Sequence, residues 1–318
     1  MRLTLEDYKQ YDHLYPEITA TIIADSRYPI KTGTRITAFL VTCPLIILNE
    51  ITRHRAFSFS VSSNRAIPTK RLLSTTTFNP VWRNSAKSGM QPGAFADENN
   101  SAYFTNLWEE SKVCALETAA MLVKHNVTKE LTNRLLSPFQ YINILISGTD
   151  FNNFFDLRNH ADAQFELQVL ARRMQVLYES NTPVNLYEGE WHLPFILSDE
   201  LEQPLYERLA VSTARAARTS YRLPGTDNYS DFDADLILFK KLLSKPLHAS
   251  PFEFVATPLP MHSIYGVTFP DGITSELYGN TYGWVQLRSF FAKQKIFPEG
   301  VFNKYDEVYS LIKKVWNN

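Results

Sequence analysis

The sequence has little cysteine, no long apolar run and no excess of positive charge, and each shortage excludes a class of protein. Its 318 residues include two cysteines, Cys43 and Cys114, too few for a disulfide framework or a zinc site. No apolar run is long enough to span a bilayer, and the start of the chain is too acidic for a signal peptide. A formal net charge of -1 argues against a broad nucleic-acid-binding surface. We therefore expect a cytoplasmic protein that binds neither membrane nor nucleic acid.

Three common catalytic motifs are also missing: a Gly-rich phosphate loop, a His-Glu-x-x-His pair and a Gly-x-Ser-x-Gly elbow. The polar residues that remain are mostly Arg, His, Ser, Asn and Gln, which bind anions and the edges of pyrimidines but offer little acid–base power. Difficult chemistry would therefore need a cofactor. The acidic loop at 227–235 either binds a divalent cation or leads, solvated, into a helix, and we expect the second and no metal site.

With 44% hydrophobic residues, the chain can bury a core, and its patterns predict an α/β (α+β) protein. Residues 18–25 and 35–43 flank a Gly33 turn and predict a β-hairpin, after which Pro44 begins a short helix. Residues 139–147 are a buried helix or a strand, because periodicity does not separate the two. The irregular stretch 75–100 is a lid over a site or a surface insertion. Further helices are predicted at 101–125, 128–136, 162–178, 205–221 and 235–244.

Residues 53–65 are the most informative stretch of the chain. Arg53, His54 and Arg55 are adjacent, and serines then alternate with apolar residues from Phe57 to Ser62. A period of two predicts an extended segment with one hydroxyl face. The stretch is therefore either an amphipathic edge strand with basic residues at its mouth or a site for phosphate and ring carbonyls.

A family resemblance rests on this stretch and on four others. Arg53-His54-Arg55, seven residues and then Ser63 resemble the Arg-His-Arg-x7-Ser signature of the flavin-dependent thymidylate synthases. Other segments resemble further motifs of that family: Asn133–Pro138, Asn153–Arg158 with Ala163–Glu166, Ala217–Tyr221 and His248–Glu253. The last two precede the Arg-His-Arg motif in the family but follow it here, which indicates a circular permutation. The chain resembles the longer, divergent branch of the family found in bacteriophages.

The resemblance implies a fold, a domain organisation and an assembly. The expected fold is that of the thymidylate synthase complementing proteins, an antiparallel or mixed sheet packed with helices. Residues 1–318 would form one interwoven catalytic domain, in which a connector at 181–204 crosses the surface between segments 1–180 and 205–318. The expected assembly is a homotetramer.

The resemblance also implies a reaction, the methylation of dUMP to dTMP by a methyltransferase that holds FAD and uses NADPH and methylenetetrahydrofolate as co-substrates. The residues expected to bind the flavin are Arg53, His54, Arg55, Asn153, Ser220, His248 and Ser250. Those expected to bind the nucleotide are Glu50, Ser63, Arg65, Arg134 and Arg158. Among these, Ser63, Arg134 and Arg158 would also take part in catalysis.

The nucleotide pocket is where the chain departs from the family pattern. Ser60, Val61 and Ala66 stand where the family has Asn, Glu and Tyr. The alternative functions are therefore methylation or hydroxymethylation of a different pyrimidine nucleotide, or nucleotide binding by a non-catalytic relative that has lost the flavin.

Overall fold

A computed structural model describes residues 12–30, 33–75, 77–85, 92–187, 189–221, 231–244, 246–258 and 279–292. The main sheet has five strands in the order β3-β6-β2-β1-β7. They are β1 (Thr19–Arg27), β2 (Arg35–Pro44), β3 (Phe57–Val61), β6 (Tyr141–Gly148) and β7 (Val184–Asn185). All neighbouring strands are antiparallel except β1 and β7, which are parallel. The prediction of an α+β protein with a mixed sheet is confirmed.

Two small sheets and several helices complete the described chain. The small sheets pair β4 (Arg83–Ser85) with β5 (Pro92–Phe95), and β8 (Ala256–Pro258) with β9 (Trp284–Gln286). The α-helices are α1 (Leu48–Thr52), α2 (Thr69–Thr75), α3 (Glu98–Lys124), α4 (Lys129–Thr132), α5 (Asn152–Arg158), α6 (Phe165–Ser180), α7 (Leu205–Ala217), α8 (Phe232–Leu243) and α9 (Leu287–Ala292). Short 3-10 turns lie at Asp12–Leu14, Leu45–Ile47, Asn133–Phe139, Ser198–Glu200, Thr219–Tyr221 and Ser250–Glu253.

The strands and short helix of the first fifty residues follow the sequence pattern. The hairpin of β1 and β2 is confirmed, and Pro44 is followed by a 3-10 turn that leads into α1. Residues 139–147 contain a strand, β6, because β2 and β3 pair with both of its edges. No local pattern could have supplied that long-range pairing.

Several predicted boundaries are wrong because capping and turn contacts decide where helices begin and end. The stretch 75–100 contains the β4–β5 hairpin, and α3 begins at Glu98, where the Asp97 side chain accepts a hydrogen bond from the Asn100 backbone N–H. The Asp231 carboxylate caps α8 in the same way, so that α8 begins at Phe232, three residues before the predicted start. Two predicted helices turn to 3-10 geometry before their predicted ends, at Asn133 and at Thr219.

Both faces of the main sheet are covered. On one face, Phe39 and Val41 of β2 share a core with Leu170 and Met174 of α6. On the other face, Leu145 of β6 packs with a cluster from later in the chain, made of Phe195, Ala216 and Phe254. The sheet is therefore a central layer between α6 and the second half of the chain.

The connector at 181–204 does not simply cross the surface, and that expectation is wrong for its central part. Trp191, His192 and Phe195 are all buried, and His192 forms an isolated β-bridge with Ala256. Aromatic side chains draw this segment inward because burying them removes a large apolar area from water.

His192 makes stability sensitive to acid. Its Nδ1 atom lies 2.9 Å from Ser26 Oγ, and burial lowers its pKa to about 4, although Asp25 acts in the opposite direction. Below pH 6.5 this histidine is protonated in the unfolded chain but not in the folded chain. Its contribution to stability is therefore fully present above that pH and is lost as the pH falls towards 4. Between pH 7 and pH 4.5 the histidine should remove roughly 2–3 kcal/mol.

Urea unfolding at these two pH values checks the effect. A His192→Gln variant should lose less stability on acidification than the parent protein, whereas His125→Gln, at an exposed position, should behave like the parent. Equal losses in all three proteins would contradict the assignment.

Candidate functional site

The hydroxyl face of β3 contacts the second half of the chain. Ser60 Oγ donates to the Ala216 carbonyl at 3.0 Å, and Ser62 Oγ donates to the Thr219 carbonyl at 3.1 Å. Ser58 Oγ accepts from Gln286 Nε2 at 3.1 Å. As one of the two interpretations predicted, β3 is an edge strand of the main sheet. Its hydroxyl face, however, is hydrogen-bonded to residues from the second half of the chain. A ligand would therefore bind at the ends of β3.

At the first end of β3 lies a group that we name the Arg158 cluster: Glu50, Arg53, His54 and Arg158. Arg158, the last residue of α5, donates from Nε to His54 Nε2 at 2.9 Å. Its pKa is lowered by burial, while Glu50 acts to raise it and Arg53 to lower it, so both charges lie within electrostatic range. Arg53 and the neighbouring Arg55 are exposed. With His54 neutral, the positive charges outnumber the single carboxylate.

His54 is a neutral ring that accepts a hydrogen bond from Arg158. Because a guanidinium cannot accept a hydrogen bond, His54 Nε2 must accept and Nδ1 must carry the proton. Burial and the charge of Arg158 lower the pKa of His54 to about 4. The ring packs edge-on against Phe154, with centroids 4.9 Å apart, and beside Phe57. Gly148 leaves room for Phe57, since a Cβ there would lie 2.6 Å from that ring.

At the other end of β3 lies a depression of about 450 Å³, which we name the anion pocket. It is lined by Leu45, Leu48, Val61, Ser62, Ser63, Asn64, Arg65, Arg134 and Ser137. Arg65 Nε lies 3.1 Å from Glu130 Oε2 in an exposed ion pair, and Arg134 is exposed with no ion-pair partner among the residues that the structure describes. Two guanidiniums against one carboxylate suit a phosphate group.

The structure thus brings three of the predicted nucleotide ligands together and leaves two of them elsewhere. Ser63, Arg65 and Arg134 share the anion pocket, whereas Glu50 and Arg158 belong to the Arg158 cluster. Between the two groups runs β3, whose five residues span roughly 13 Å. Residue spacing gave no sign of this separation.

Ser220 lies beside the anion pocket, although the resemblance placed it with the flavin ligands. Its Oγ accepts a 2.7 Å hydrogen bond from the Ser63 backbone N–H, and its side chain is buried. Its role towards a flavin stays a prediction. The bond nonetheless fixes the backbone of the residue that carries the Ser63 hydroxyl.

The remaining predicted flavin ligands are exposed. Asn153 lies in the first turn of α5, and Ser250 begins the 3-10 turn that packs beside β3. His248 is exposed just before that turn, and its backbone N–H donates to the Leu242 carbonyl. These side chains are accessible to a ligand, and their roles stay predictions.

Sequence reasoning missed Glu130, which pairs with Arg65, and Thr219, which holds Ser62. Both contacts join residues far apart in the chain, so the sequence did not show them, although Thr219 lies inside the Ala217–Tyr221 segment.

A second depression of about 280 Å³ lies beside Ser62 and Ser220, and its polar groups are largely bonded within the protein. Thr42 Oγ1 donates to Asn143 Oδ1 at 2.9 Å, and Thr75 Oγ1 donates to the Arg71 carbonyl at 3.0 Å. This depression therefore offers a polar ligand fewer available hydrogen-bonding groups than the anion pocket does.

Two further searches cover only the described part of the chain. There, no group of three or more His, Cys, Asp or Glu side chains could hold a metal ion, and no helix combines the length and apolar character needed to cross a membrane. The stretch 222–230, which contains part of the acidic loop, lies outside the described residues.

The described chain is an α+β protein that carries cationic side chains at both ends of an edge strand. The model of the thymidylate synthase complementing protein family matches residues 35–184, a segment that contains both groups. The flavin-dependent thymidylate synthase of Kosmotoga olearia is 25% identical over 160 residues, which cover 48% of this chain and 65% of that protein. Over residues 35–184 the chain is therefore similar to the thymidylate synthase complementing proteins.

Solved structures of similar shape include the UMP/dUMP methylase PolB from Streptomyces cacaoi. Bound with 5-Br UMP, it has a TM-score of 0.42 and 14% identity, covering 51% of this chain and 88% of that chain. Bound with 5-Br dUMP, it has a TM-score of 0.41 and 16% identity, covering 51% and 89%.

Proposed function

We propose that this protein is a flavin-dependent methyltransferase that converts dUMP to dTMP in the cytoplasm. The observation that carries the proposal is the pair of cationic groups at the two ends of β3, both inside the segment that matches the family. The similarity to a flavin-dependent thymidylate synthase supports the reaction class.

The anion pocket would hold the nucleotide phosphate. Arg134 offers an exposed guanidinium, and Arg65 can exchange its exposed partner Glu130 for a phosphate, because an exposed ion pair contributes little. The Ser63 hydroxyl accepts from the Arg65 backbone N–H at 3.3 Å, which leaves its own hydrogen to donate to a phosphate oxygen.

Arg158 would act on the pyrimidine ring. Its Nε is engaged by His54, which fixes the plane of the guanidinium and leaves the two terminal nitrogens as a fork. Donated to a ring carbonyl, that fork would stabilise the negative charge that develops when the ring carbon is alkylated. Because His54 is neutral and accepts, it orients Arg158 without adding a competing positive charge.

The residues in and around the Arg158 cluster also fit a flavin. Arg53 and Arg55 are exposed guanidiniums suited to a diphosphate, and the proton on His54 Nδ1 suits a ring acceptor. With Asn153, His248 and Ser250, these residues would hold FAD. When bound, FAD would supply the reducing equivalents, with NADPH and methylenetetrahydrofolate as co-substrates.

The separation of the two groups supports an oligomer. One chain holds Arg134 and Arg158 at opposite ends of β3, so a nucleotide that contacts both would take one of them from a second protomer. We propose a homotetramer in which active sites form between protomers, and size-exclusion chromatography with light scattering tests it.

A different pyrimidine nucleotide is the second candidate, and Val61 favours it. This residue lines the anion pocket at the position where the family pattern has Glu, so the pocket wall is apolar where a carboxylate would stand. Methylation or hydroxymethylation of another nucleotide would follow from such a change. A nucleotide-binding relative without flavin is the non-catalytic alternative.

Product analysis distinguishes these functions. Purified protein should be yellow or take up FAD, and with NADPH and methylenetetrahydrofolate it should convert dUMP to a product heavier by one methylene group. Parallel reactions with UMP and dCMP test the second candidate, and addition of a CH2O unit would identify hydroxymethylation. A protein that stays colourless with added FAD and converts no nucleotide would contradict the enzyme proposal.

A further inference from the structure

We infer that Asp235 is a positioning residue for the anion pocket and acts through Arg218 and the Thr219–Tyr221 turn. The inference rests on the proposed function, because the pocket is taken to bind the nucleotide. Asp235 lies in α8, far in sequence from every residue that lines the pocket.

Asp235 is fully buried between two arginines. Its Oδ2 accepts from Arg215 Nε at 2.8 Å, and its Oδ1 accepts from Arg218 Nε at 2.8 Å. Arg215 is anchored separately by Glu200, through two bonds of 2.6 Å. Arg218 Nη2 also donates to the Ala234 carbonyl at 3.2 Å, but Asp235 is its one carboxylate partner among the described residues, and its side chain is 26% exposed.

Arg218 precedes the turn that holds the end of β3. Ser62 Oγ lies 3.1 Å from the Thr219 carbonyl and 3.0 Å from the Asn143 carbonyl, which share its one hydrogen, and Ser220 Oγ accepts from the Ser63 backbone N–H at 2.7 Å. Ser62 and Ser63 both line the anion pocket. A path therefore runs from Asp235 by hydrogen bond to the Arg218 side chain, along the backbone from Arg218 to Ser220, and by hydrogen bond to the backbone that presents the Ser63 hydroxyl.

An amide at position 235 should loosen this set without removing its bulk. In Asp235→Asn, one side-chain atom becomes an N–H donor that faces a guanidinium, so one arginine loses its acceptor. Because Arg215 keeps Glu200, the loss should fall on Arg218. The turn would then shift relative to Ser62 and Ser63, and phosphate binding would weaken.

Calorimetric titration of dUMP and FAD tests the inference in the full-length protein. Asp235→Asn and Arg218→Gln should each raise the Kd for dUMP by about tenfold and leave the Kd for FAD unchanged. Ser220→Ala should act in the same direction, and combining it with Asp235→Asn should give less than the product of the two effects, because both act on one path. The control is Asp233→Asn, which replaces an exposed carboxylate on the same helix and should leave both Kd values unchanged.

The outcomes separate this inference from the proposed function. If Arg134→Ala leaves dUMP affinity unchanged, the proposed nucleotide pocket is wrong. If Arg134→Ala weakens dUMP binding but Arg218→Gln does not, or if Arg218→Gln weakens FAD binding equally, Asp235 has only a structural role. Should Asp235→Asn fail to fold, Arg218→Gln and Ser220→Ala decide the question.

Discussion

Replacing Arg158 with alanine should lower kcat/KM for the nucleotide by at least about 10²–10³-fold, the usual cost of removing a donor to a developing negative charge. The nucleotide loses the guanidinium fork held by His54 Nε2 at 2.9 Å. FAD should remain bound, because its proposed ligands Arg53 and Arg55 are unchanged. Steady-state kinetics and the flavin absorbance of the purified variant measure both quantities.

A second readout of the same variant comes from His54. Burial is the larger cause of its low pKa and the charge of Arg158 the smaller, so the alanine variant should raise that pKa above the value of about 4. Nuclear magnetic resonance titration of the histidine ring measures this shift. Arg27→Ala, at an exposed position outside both groups, is the control. Unchanged turnover would contradict the catalytic role of Arg158.

Arg55→Ala provides the complementary comparison. Arg55 follows His54 directly but is exposed, and we assign it to the flavin. Its replacement should weaken FAD binding, whereas Arg158→Ala should spare it. If both variants lost the flavin alike, the proposal that Arg55 binds the flavin and Arg158 binds the nucleotide would be wrong.

Replacing Arg215 with leucine should lower the free energy of unfolding by about 3–5 kcal/mol, because Glu200 loses its guanidinium partner and the buried Asp235 keeps only Arg218. Arg215 is 1% exposed and bonds to Glu200, to Asp235 and to the Phe195 carbonyl. These contacts join the connector, α7 and α8. Urea unfolding followed by circular dichroism measures the loss.

Two comparisons show whether the loss comes from unpaired charge. Lys240→Leu replaces an exposed cation on α8 and should change stability little. Replacing Arg215, Glu200 and Asp235 together with apolar residues should recover much of the stability, since a buried charged group can be exchanged for packed side chains at little cost. A loss below about 1 kcal/mol in Arg215→Leu would mean that water replaces the missing contacts.

Local sequence patterns predicted the parts of this protein that depend on neighbouring residues. The hairpin of β1 and β2 follows from β-branched runs around the Gly33 turn, and β3 follows from alternation at Phe57–Ser62. Cation-rich ends of β3 were visible in Arg53-His54-Arg55 and in Arg65. These features survive in the fold because period-two alternation and turn chemistry act over a few residues.

Tertiary structure alone decided what those residues face. Alternation showed that Ser58, Ser60 and Ser62 share one face, but only contacts with Ala216, Thr219 and Gln286 show that this face joins two halves of the chain. Ser220 likewise reaches the Ser63 backbone across more than 150 residues. Local patterns cannot fix such pairings, because they depend on how distant segments bury their apolar surfaces.

The sequence by itself therefore indicated the family resemblance, an α+β fold with an antiparallel or mixed sheet, and the residue types that can bind anions. Folding decided their grouping: the Arg158 cluster at one end of β3 and the anion pocket at the other. The physical reason is that charge and hydrogen-bonding capacity belong to each residue, whereas distance, burial and the pKa values that follow from them belong to the packed chain.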